Sequence, residues 1–251
     1  MNTFFRALSG RGPKARLTIL MFHRVTPVPD ELFPGEMHRD SFDMVCSWVR
    51  RWFAVLPLDE AVRRLYDGSL PPAALAVTFD DGYADNHDVA LPVLQRHGLN
   101  ATFFVATGFL DGGRMWNDTL VEAIRHARVD SLDLRDEELP IRQAGVLSLQ
   151  GVEHRRAAMR LLISLTKYLE PEQRLAQVER IAALSRARLP VDLMMTSGQV
   201  AALHRAGMRI GAHTLNHPIL SRVSDDVARA EIKGSRERLA EITGGPIDLF
   251  A

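Results

Sequence analysis

Short apolar segments with the composition of β-strands alternate with segments of helical periodicity along most of this chain of 251 residues. Runs rich in β-branched and aromatic residues predict strands, and apolar residues three and four apart between them predict helices with one buried face. This order indicates an α/β fold of parallel strands joined by right-handed crossover helices. The predicted strands are residues 17–22, 54–57, 73–79, 101–106, 208–212 and 247–251.

Typical start and stop signals bound the predicted helices. Thr196 followed by Gln199 is a capping-box pattern, and Ser224 is an N-cap residue. Gly98 and Gly244 stand where a helix would end in a left-handed residue. The helices predicted in this way are residues 40–52, 58–66, 83–97, 196–205 and 225–243.

Residues 114–195 break the alternation. They contain little that resembles a buried strand, and residues 145–169 and 172–187 are rich in the helix formers Leu, Ala, Arg and Glu. We therefore predict a basic arm at residues 1–16, followed by one domain over residues 17–251 that contains 114–195 as a helical insertion. The sequence leaves open whether the insertion is a separate lobe or a cover over the site.

Charge and cysteine content exclude several classes of protein. The 31 basic and 31 acidic residues balance, so we expect no nucleic-acid partner. The lone Cys46 excludes an internal disulfide and a multi-thiolate metal site, and it is expected to pack in the core of a protein from a reducing compartment. No apolar run approaches the roughly 18 residues that span a bilayer, and no signal-peptide pattern is found. We predict a cytoplasmic protein that either is free in the cytoplasm or lies at the inner face of the membrane, with at most peripheral contact to the membrane. The sequence leaves the oligomeric state open.

Two adjacent carboxylates lie in the string TFDDGY at residues 78–83, directly after a predicted strand. Gly82 allows the chain to bend there, so the side chains of Asp80 and Asp81 can approach one site. Two carboxylates that close together repel each other unless a cation neutralises them, which favours a divalent metal. The alternative is that both residues only cap the following helix.

Two histidines lie four residues apart in the string HTLNHP at residues 213–218. Pro218 disfavours helical geometry at His217, so the pair is expected on a loop after a strand. Asp81, His213 and His217 would give three protein ligands and leave positions for water, which is typical of a catalytic metal site. These donors suit Zn²⁺ best, and Co²⁺ or Ni²⁺ as well. Alternatively, both histidines are loop hydrogen-bonding residues. Thr214 is expected to fix the loop through a hydrogen bond, or else to be an ordinary loop threonine.

Together the two strings resemble the first two signature motifs of the polysaccharide deacetylases, the NodB-homology or carbohydrate esterase family 4 group. The resemblance extends over residues 17–251 apart from the insertion. It implies a distorted (β/α)7 barrel related to the TIM barrel, and hydrolysis of N-acetyl groups from amino sugars of a polysaccharide or a lipid-linked glycan. Asp81, His213 and His217 match the metal-ligand positions of the family, and Asp80 matches its general base.

A candidate general acid follows the first predicted strand. The string FHRV at residues 22–25 resembles the Tyr-His-x-Val element of the branch that includes the poly-N-acetylglucosamine deacetylases. The resemblance implies that His23 protonates the leaving amine, against the alternative of a structural histidine. Arg24 is expected to orient a carboxylate or to form an ordinary salt bridge. Tyr83 and Trp116 are further candidates for the substrate site, with a place in the core of the insertion as the alternative for Trp116.

Two further expectations concern the extent of the chain and its activity. The third motif of the family would begin at or beyond Phe250 and Ala251, and six predicted strands are fewer than a closed barrel needs, so we expect a C-terminally truncated fragment. Two other activities stay open: an amidohydrolase of small non-sugar amides, or a catalytically weak glycan-binding domain. The presence of Asp80 argues against the second of these.

Overall fold

The computed structural model describes residue 10, residues 12–136 and residues 141–251. Most of the basic arm predicted at residues 1–16 therefore lies outside the described residues. The described chain divides into two compact units. The first contains the residues up to Pro29, Gly35–Gly113 and Asp192–Ala251, and the second contains Asp30–Pro34 and Arg114–Val191.

In chain order the described strands are β1 (Thr18–Phe22), β2 (Ala54–Val55), β3 (Ala74–Phe79), β4 (Thr102–Val105), β5 (Ser131–Asp133), β6 (Val146–Ser148) and β7 (Arg209–Ala212). The described α-helices are α1 (Arg39–Trp52), α2 (Leu58–Tyr66), α3 (Leu91–His97), α4 (Trp116–Arg125), α5 (Val152–Thr166), α6 (Pro171–Ser185), α7 (Ser197–Arg205) and α8 (Asp225–Thr243).

A sheet of parallel strands forms the centre of the first unit. Its strands follow the order β1-β3-β4-β7, and β2 pairs with the first residues of β3. In register, Phe22 of β1 lies opposite Phe79 of β3, and Val105 of β4 lies opposite Ala212 of β7. The carboxyl ends of these strands thus meet at one edge of the sheet, where α/β proteins place their functional groups.

The last predicted strand is shorter than expected. Within residues 247–251, Phe250 forms an isolated parallel bridge with Ala212, and the carbonyl of Leu249 accepts a hydrogen bond from the backbone N–H of Ala212. This segment therefore runs parallel beside β7, as a parallel sheet requires, but it forms a single bridge and not the strand of five residues that was predicted.

Aromatic packing fixes the carboxyl ends of the strands. β3 is buried along its whole length. The ring of Phe79 stacks on that of Phe103 with centroids 4.7 Å apart, and its centroid lies 5.4 Å from that of Phe22 and 5.7 Å from that of Phe42 on α1. Such contacts add to the burial of apolar area, so the residues that follow these strands start from rigid positions.

The helices of the first unit lie close to the predicted ranges, with one difference. Residues 83–97 were expected to form a single α-helix, but the segment begins with a π-helix at Asn86–Ala90, which continues into α3. Here the backbone N–H of Leu91 donates to the carbonyl of Asn86. Pro92 in the first turn of α3 has no N–H to donate, which explains why the regular α pattern does not start earlier.

The second unit is mainly helical but also contains strands. α4, α5 and α6 enclose an apolar core that includes Leu120, Leu162 and Val178. β5 and β6 form a short antiparallel pair in which only Leu132 is buried, and this agrees with the expectation of little buried strand in this segment. The helix expected from residue 145 begins only at Val152, since residues 146–148 belong to β6. That residues 17–251 form one domain, with residues 114–195 as an insertion in it, stays a prediction.

Candidate metal centre

Asp80 and Asp81 lie directly after β3, at the carboxyl edge of the sheet. The backbone bends through Asp81, with φ of 76°, and Gly82, with φ of 92°. A Cβ atom at Gly82 would lie 2.9 Å from Cγ1 of Val105, so only glycine fits this turn. Each aspartate is only 7% exposed. The bend therefore places two neighbouring, buried carboxylates at the end of one strand.

His213 and His217 lie on a loop that leaves β7. The loop contains two non-glycine residues with positive φ, Thr214 at 64° and His217 at 50°. Thr214 Oγ1 donates a hydrogen bond of 2.5 Å to the carbonyl of His213 and accepts one of 3.0 Å from the backbone N–H of His217. This threonine hydroxyl thus joins the two histidine positions, and the loop is not helical, as expected from Pro218.

The structure brings Asp81 and the two histidines together. Oδ1 of Asp81 lies 3.5 Å from Nε2 of His213 and 3.5 Å from Nε2 of His217. The rings of the two histidines lie 4.9 Å apart, and one ligand atom from each of the three residues falls within 4.8 Å of the others.

These residues fit a divalent cation. Oδ1 of Asp81 is buried and has no hydrogen-bond partner among the described residues, although it faces two imidazole nitrogens. In a tetrahedral site with bonds of about 2.0–2.2 Å, neighbouring ligand atoms lie about 3.3–3.6 Å apart, close to the observed separation of the oxygen from each nitrogen. An ion would satisfy this buried oxygen, and the donor set of one carboxylate and two imidazoles suits such an ion.

The two carboxylates differ in acidity. Burial raises the pKa of Asp80, and the neighbouring Asp81 raises it further against the opposing effect of His213 and His23. Burial alone would also raise the pKa of Asp81, but the nearby His213 and His217 outweigh it, so the pKa of Asp81 is lowered. The two groups are thus suited to different tasks, because Asp81 stays ionised more readily and Asp80 holds a proton more readily.

The two histidines are shifted in opposite directions. For His213, burial opposes protonation, but the contact with Asp81 and the carbonyl of Ala251 outweigh it and raise the pKa. Burial lowers the pKa of His217 despite the attraction of Asp81. A neutral imidazole is the form that binds a metal, and His217 is therefore held in that form.

His23 follows β1 at the same edge of the sheet and lies close enough to lower the pKa of Asp80. Its backbone carbonyl accepts a hydrogen bond of 2.9 Å from Nδ2 of the fully buried Asn86. Nε of Arg24 donates a 2.8 Å hydrogen bond to Oδ2 of Asp85, and the guanidinium of Arg24 lies 4.8 Å from the ring centroid of Tyr83. This ion pair with Asp85 is compatible with both interpretations of Arg24, so its role at the site stays a prediction.

Asp85 and Asn86 are buried residues that the sequence reasoning missed. Oδ1 of Asp85 accepts hydrogen bonds from the backbone N–H of Val25 and from Nδ2 of Asn86. The signal was present, because these two polar residues continue the TFDDGY string within three positions of its end.

Trp116 lies in the second unit, at the first position of α4. Its ring packs against the apolar core of that unit, and the guanidinium of Arg174 lies 5.0 Å from its centroid. This is the environment that the alternative interpretation of Trp116 predicted, and a role in binding substrate stays a prediction.

No helix among the described residues combines the length and the apolar character needed to cross a membrane.

Known proteins resemble this chain in both sequence and fold. The sequence model of the family described as polysaccharide deacetylase matches residues 67–134 and 172–251, more than half of the chain. A curated relative, the putative polysaccharide deacetylase YxkH of Bacillus subtilis (strain 168), is 29% identical over 93 residues, which cover 36% of this chain and 32% of that relative. The match therefore spans about a third of the length of that protein.

Two solved structures share the fold at low sequence identity. The Streptococcus pyogenes deacetylase PplD in complex with acetate is 20% identical with a TM-score of 0.56, covering 93% of this chain and 72% of that one. IcaB from Ammonifex degensii is 17% identical with a TM-score of 0.53, covering 96% of this chain and 74% of that one. This likeness confirms the predicted α/β fold of the distorted (β/α)7 barrel type.

Proposed function

Because the chain belongs to the polysaccharide deacetylase family, we propose that it removes N-acetyl groups from amino sugars by metal-dependent hydrolysis. The observation that carries this proposal is the convergence of one ligand atom each from Asp81, His213 and His217 after β3 and β7, next in the chain to the buried carboxylate of Asp80. The substrate we propose is an amino-sugar polymer or a lipid-linked oligosaccharide.

Asp81, His213 and His217 would hold the ion through one carboxylate oxygen and two imidazole nitrogens. Zn²⁺ is the ion that we propose, and Co²⁺ or Ni²⁺ accept the same donors. When bound, such an ion supplies a Lewis acid that polarises the acetamide carbonyl and makes water more acidic. The buried Oδ1 of Asp81 has no hydrogen-bond partner in the described part of the chain, which supports this assignment.

Asp80 acts as the general base in this proposal. It removes a proton from the water that attacks the acetamide carbon, and its raised pKa brings it closer to the acidity that such a transfer needs. The carbon–nitrogen bond then breaks, and His23 donates a proton to the leaving amine. Acetate and an amino sugar are the products. The backbone of His23 is held by Asn86, which supports an active-site position.

Two further observations support the substrate class and the location. The S. pyogenes structure is described as a complex with acetate, the product that we propose here. Cys46 is free and buried, as expected of a protein in a reducing compartment, and on this basis we propose a cytoplasmic location.

The proposal is tested by acetate release from N-acetylglucosamine oligomers, measured with metal-free protein and after addition of Zn²⁺, Co²⁺ or Ni²⁺. Acetanilide serves as a small non-sugar amide in a parallel assay. We expect metal-dependent acetate release from the oligomers only. Acetate release from acetanilide alone would show that the substrate is a small amide and not a sugar. Oligomer binding without acetate release in the presence of metal would show that the protein is a glycan-binding domain and not an enzyme.

A further inference from the structure

The loop of residues 213–217 needs support from outside, because its backbone is in an uncommon conformation. Thr214 and His217 both have positive φ, a conformation that side chains with a Cβ rarely adopt and that persists only where the surroundings hold it. Since both histidines of the candidate metal centre lie on this loop, its backbone conformation decides where the two imidazole rings point.

Glu231 on α8 contacts the middle of this loop. Its side chain is mostly buried, with the residue 9% exposed. Oε2 of Glu231 accepts hydrogen bonds of 2.8 Å from the backbone N–H groups of both Leu215 and Asn216, and Oε1 accepts one of 2.9 Å from Nδ2 of Asn216. Hydrogen bonds to an ionised carboxylate are among the strong ones in proteins. On the same helix, a Cβ atom at Gly234 would lie 2.6 Å from Cδ1 of Leu215, so this glycine makes room for the leucine.

The opposite side of the loop is held by the turn after β4. The backbone N–H of Thr107 donates to the carbonyl of Thr214 at 3.2 Å, and that of Gly108 donates to the carbonyl of Leu215 at 2.8 Å. A Cβ atom at Gly108 would lie 2.7 Å from the oxygen of Leu215 and 2.7 Å from Oδ1 of Asn216. The loop is thus held between Glu231 and Gly108, and little space is left on the Gly108 side.

We propose that Glu231 is a positioning residue of the metal centre. Glu231 contacts the loop between the two histidines, and it acts on His213 and His217 by fixing that loop. The inference rests on the proposed function in one respect, namely that these histidines bind a metal. Its effect is on the affinity and the coordination of the ion, and it takes no part in proton transfer.

The test uses Co²⁺ as the probe, because its visible absorption reports coordination as well as binding. For Glu231→Ala we expect Co²⁺ affinity to fall about tenfold or more, with an altered visible band, as is typical when a group that orients metal ligands is lost. In Glu231→Gln, Co²⁺ affinity should stay within about threefold of that of the unsubstituted protein. The amide oxygen of the glutamine can accept hydrogen bonds from both backbone N–H groups, and the Asn216 amide can turn so that its oxygen accepts a hydrogen bond from the glutamine Nε2. Glu237→Ala, on the same helix and 61% exposed in its side chain, is the matched control and should bind Co²⁺ normally.

Gly108→Ala provides a second route if Glu231→Ala does not fold. Its added Cβ must displace the loop from the other side, so the same loss of Co²⁺ affinity is expected. Gly245→Ala is its control, because the added Cβ would meet no atom of the described residues within 4 Å. Normal Co²⁺ affinity and absorption in folded Glu231→Ala, or in folded Gly108→Ala where Glu231→Ala does not fold, would overturn the inference. Absence of Co²⁺ binding by the unsubstituted protein would instead contradict the proposed function.

Discussion

Nδ1 of His213 lies 2.6 Å from the carbonyl oxygen of Ala251. A carbonyl can only accept, so Nδ1 of this ring carries a proton, and in the neutral ring Nε2 presents its lone pair. Nε2 is the atom that faces Asp81. The backbone at Ala251 thus selects the tautomer and the orientation that a metal ligand needs, as carbonyl partners of metal-binding histidines commonly do.

Replacement of His213 is therefore expected to remove metal binding together with activity. His213→Ala deletes one of the three proposed ligands, and two remaining protein ligands hold a divalent ion poorly. Metal content after dialysis, measured by elemental analysis, should fall from about one ion per chain to near zero. His204→Ala, an exposed histidine on α7, is the matched control and should keep the ion. A full complement of metal in His213→Ala would show that this residue is not a ligand.

The variant Asp80→Asn tests the proposed role of Asp80 as the general base independently of metal binding. Asparagine keeps the size of the side chain but cannot accept a proton from water, so acetate release should fall about 100-fold or more. Metal content should stay unchanged, because Asp81 and both histidines are intact. Asp226→Asn changes an exposed aspartate on α8 and should leave activity unchanged. Undiminished acetate release by Asp80→Asn would exclude Asp80 as the base.

The candidate site could be predicted largely from local sequence because its residues follow strands directly. Asp80, Asp81 and His213 each stand at the carboxyl end of a strand whose apolar composition is plain, and parallel register brings those ends together. Local sequence did not indicate the distant hydrogen-bond partners of Asp85, Asn86 and Glu231, because these partners lie 15 to 63 positions away.

The second unit was predicted less well for the same reason. Residues 30–34 belong to it although they precede the rest of the unit by about 80 positions along the chain. The guanidinium of Arg125 binds the carboxylate of Asp30 with hydrogen bonds of 3.0 and 2.7 Å. A pairing between residues 95 positions apart has no local pattern, and the short strands β5 and β6 pair too briefly to show a clear alternation.

The Asp30–Arg125 pair should make the stability of the second unit depend on pH. Burial would raise the pKa of Asp30, but hydrogen bonds from Arg125 and the backbone N–H of Leu32 outweigh it, so the pKa of Asp30 is lowered in the folded protein. A carboxyl group with a lowered folded pKa stabilises the fold above its unfolded pKa, and this contribution is lost as the pH falls through the folded value.

Asp30→Asn should therefore reduce the free energy of unfolding at neutral pH by about 1–3 kcal/mol. As the pH is lowered below about 4, the difference between the two proteins should shrink, because the wild-type carboxyl group also becomes neutral. Denaturant unfolding followed by circular dichroism at several pH values measures this. Asp130→Asn, at an exposed aspartate of the same unit, is the control. A difference that stays constant down to about pH 2 would contradict the assignment.

Cys46 is expected to be chemically inert in the folded protein. It is 3% exposed within the core of the first unit, and burial raises the pKa of its thiol to about 12. Since the thiolate is the reactive form, labelling with iodoacetamide at about pH 8 should be slow in native protein and complete in denaturant, with one thiol per chain. Rapid labelling of the native protein would show that α1 opens readily from the sheet.

Gly82→Ala is expected to disturb the metal centre by changing the backbone bend that follows β3. It removes no ligand side chain. The added Cβ would lie 2.9 Å from Cγ1 of Val105 at a φ of 92°, so the turn must change, and Asp81 is the residue directly before it. We expect a loss of about 1 kcal/mol or more in the free energy of unfolding, together with weaker metal binding. Gly35→Ala, where the new Cβ meets nothing within 4 Å, should change neither quantity. Alanine removes no ligand atom. Reduced metal affinity in a folded Gly82→Ala protein would therefore show that the bend after β3 sets the position of the Asp81 carboxylate. Reduced stability with normal metal affinity would instead show that the loop adapts around the ion.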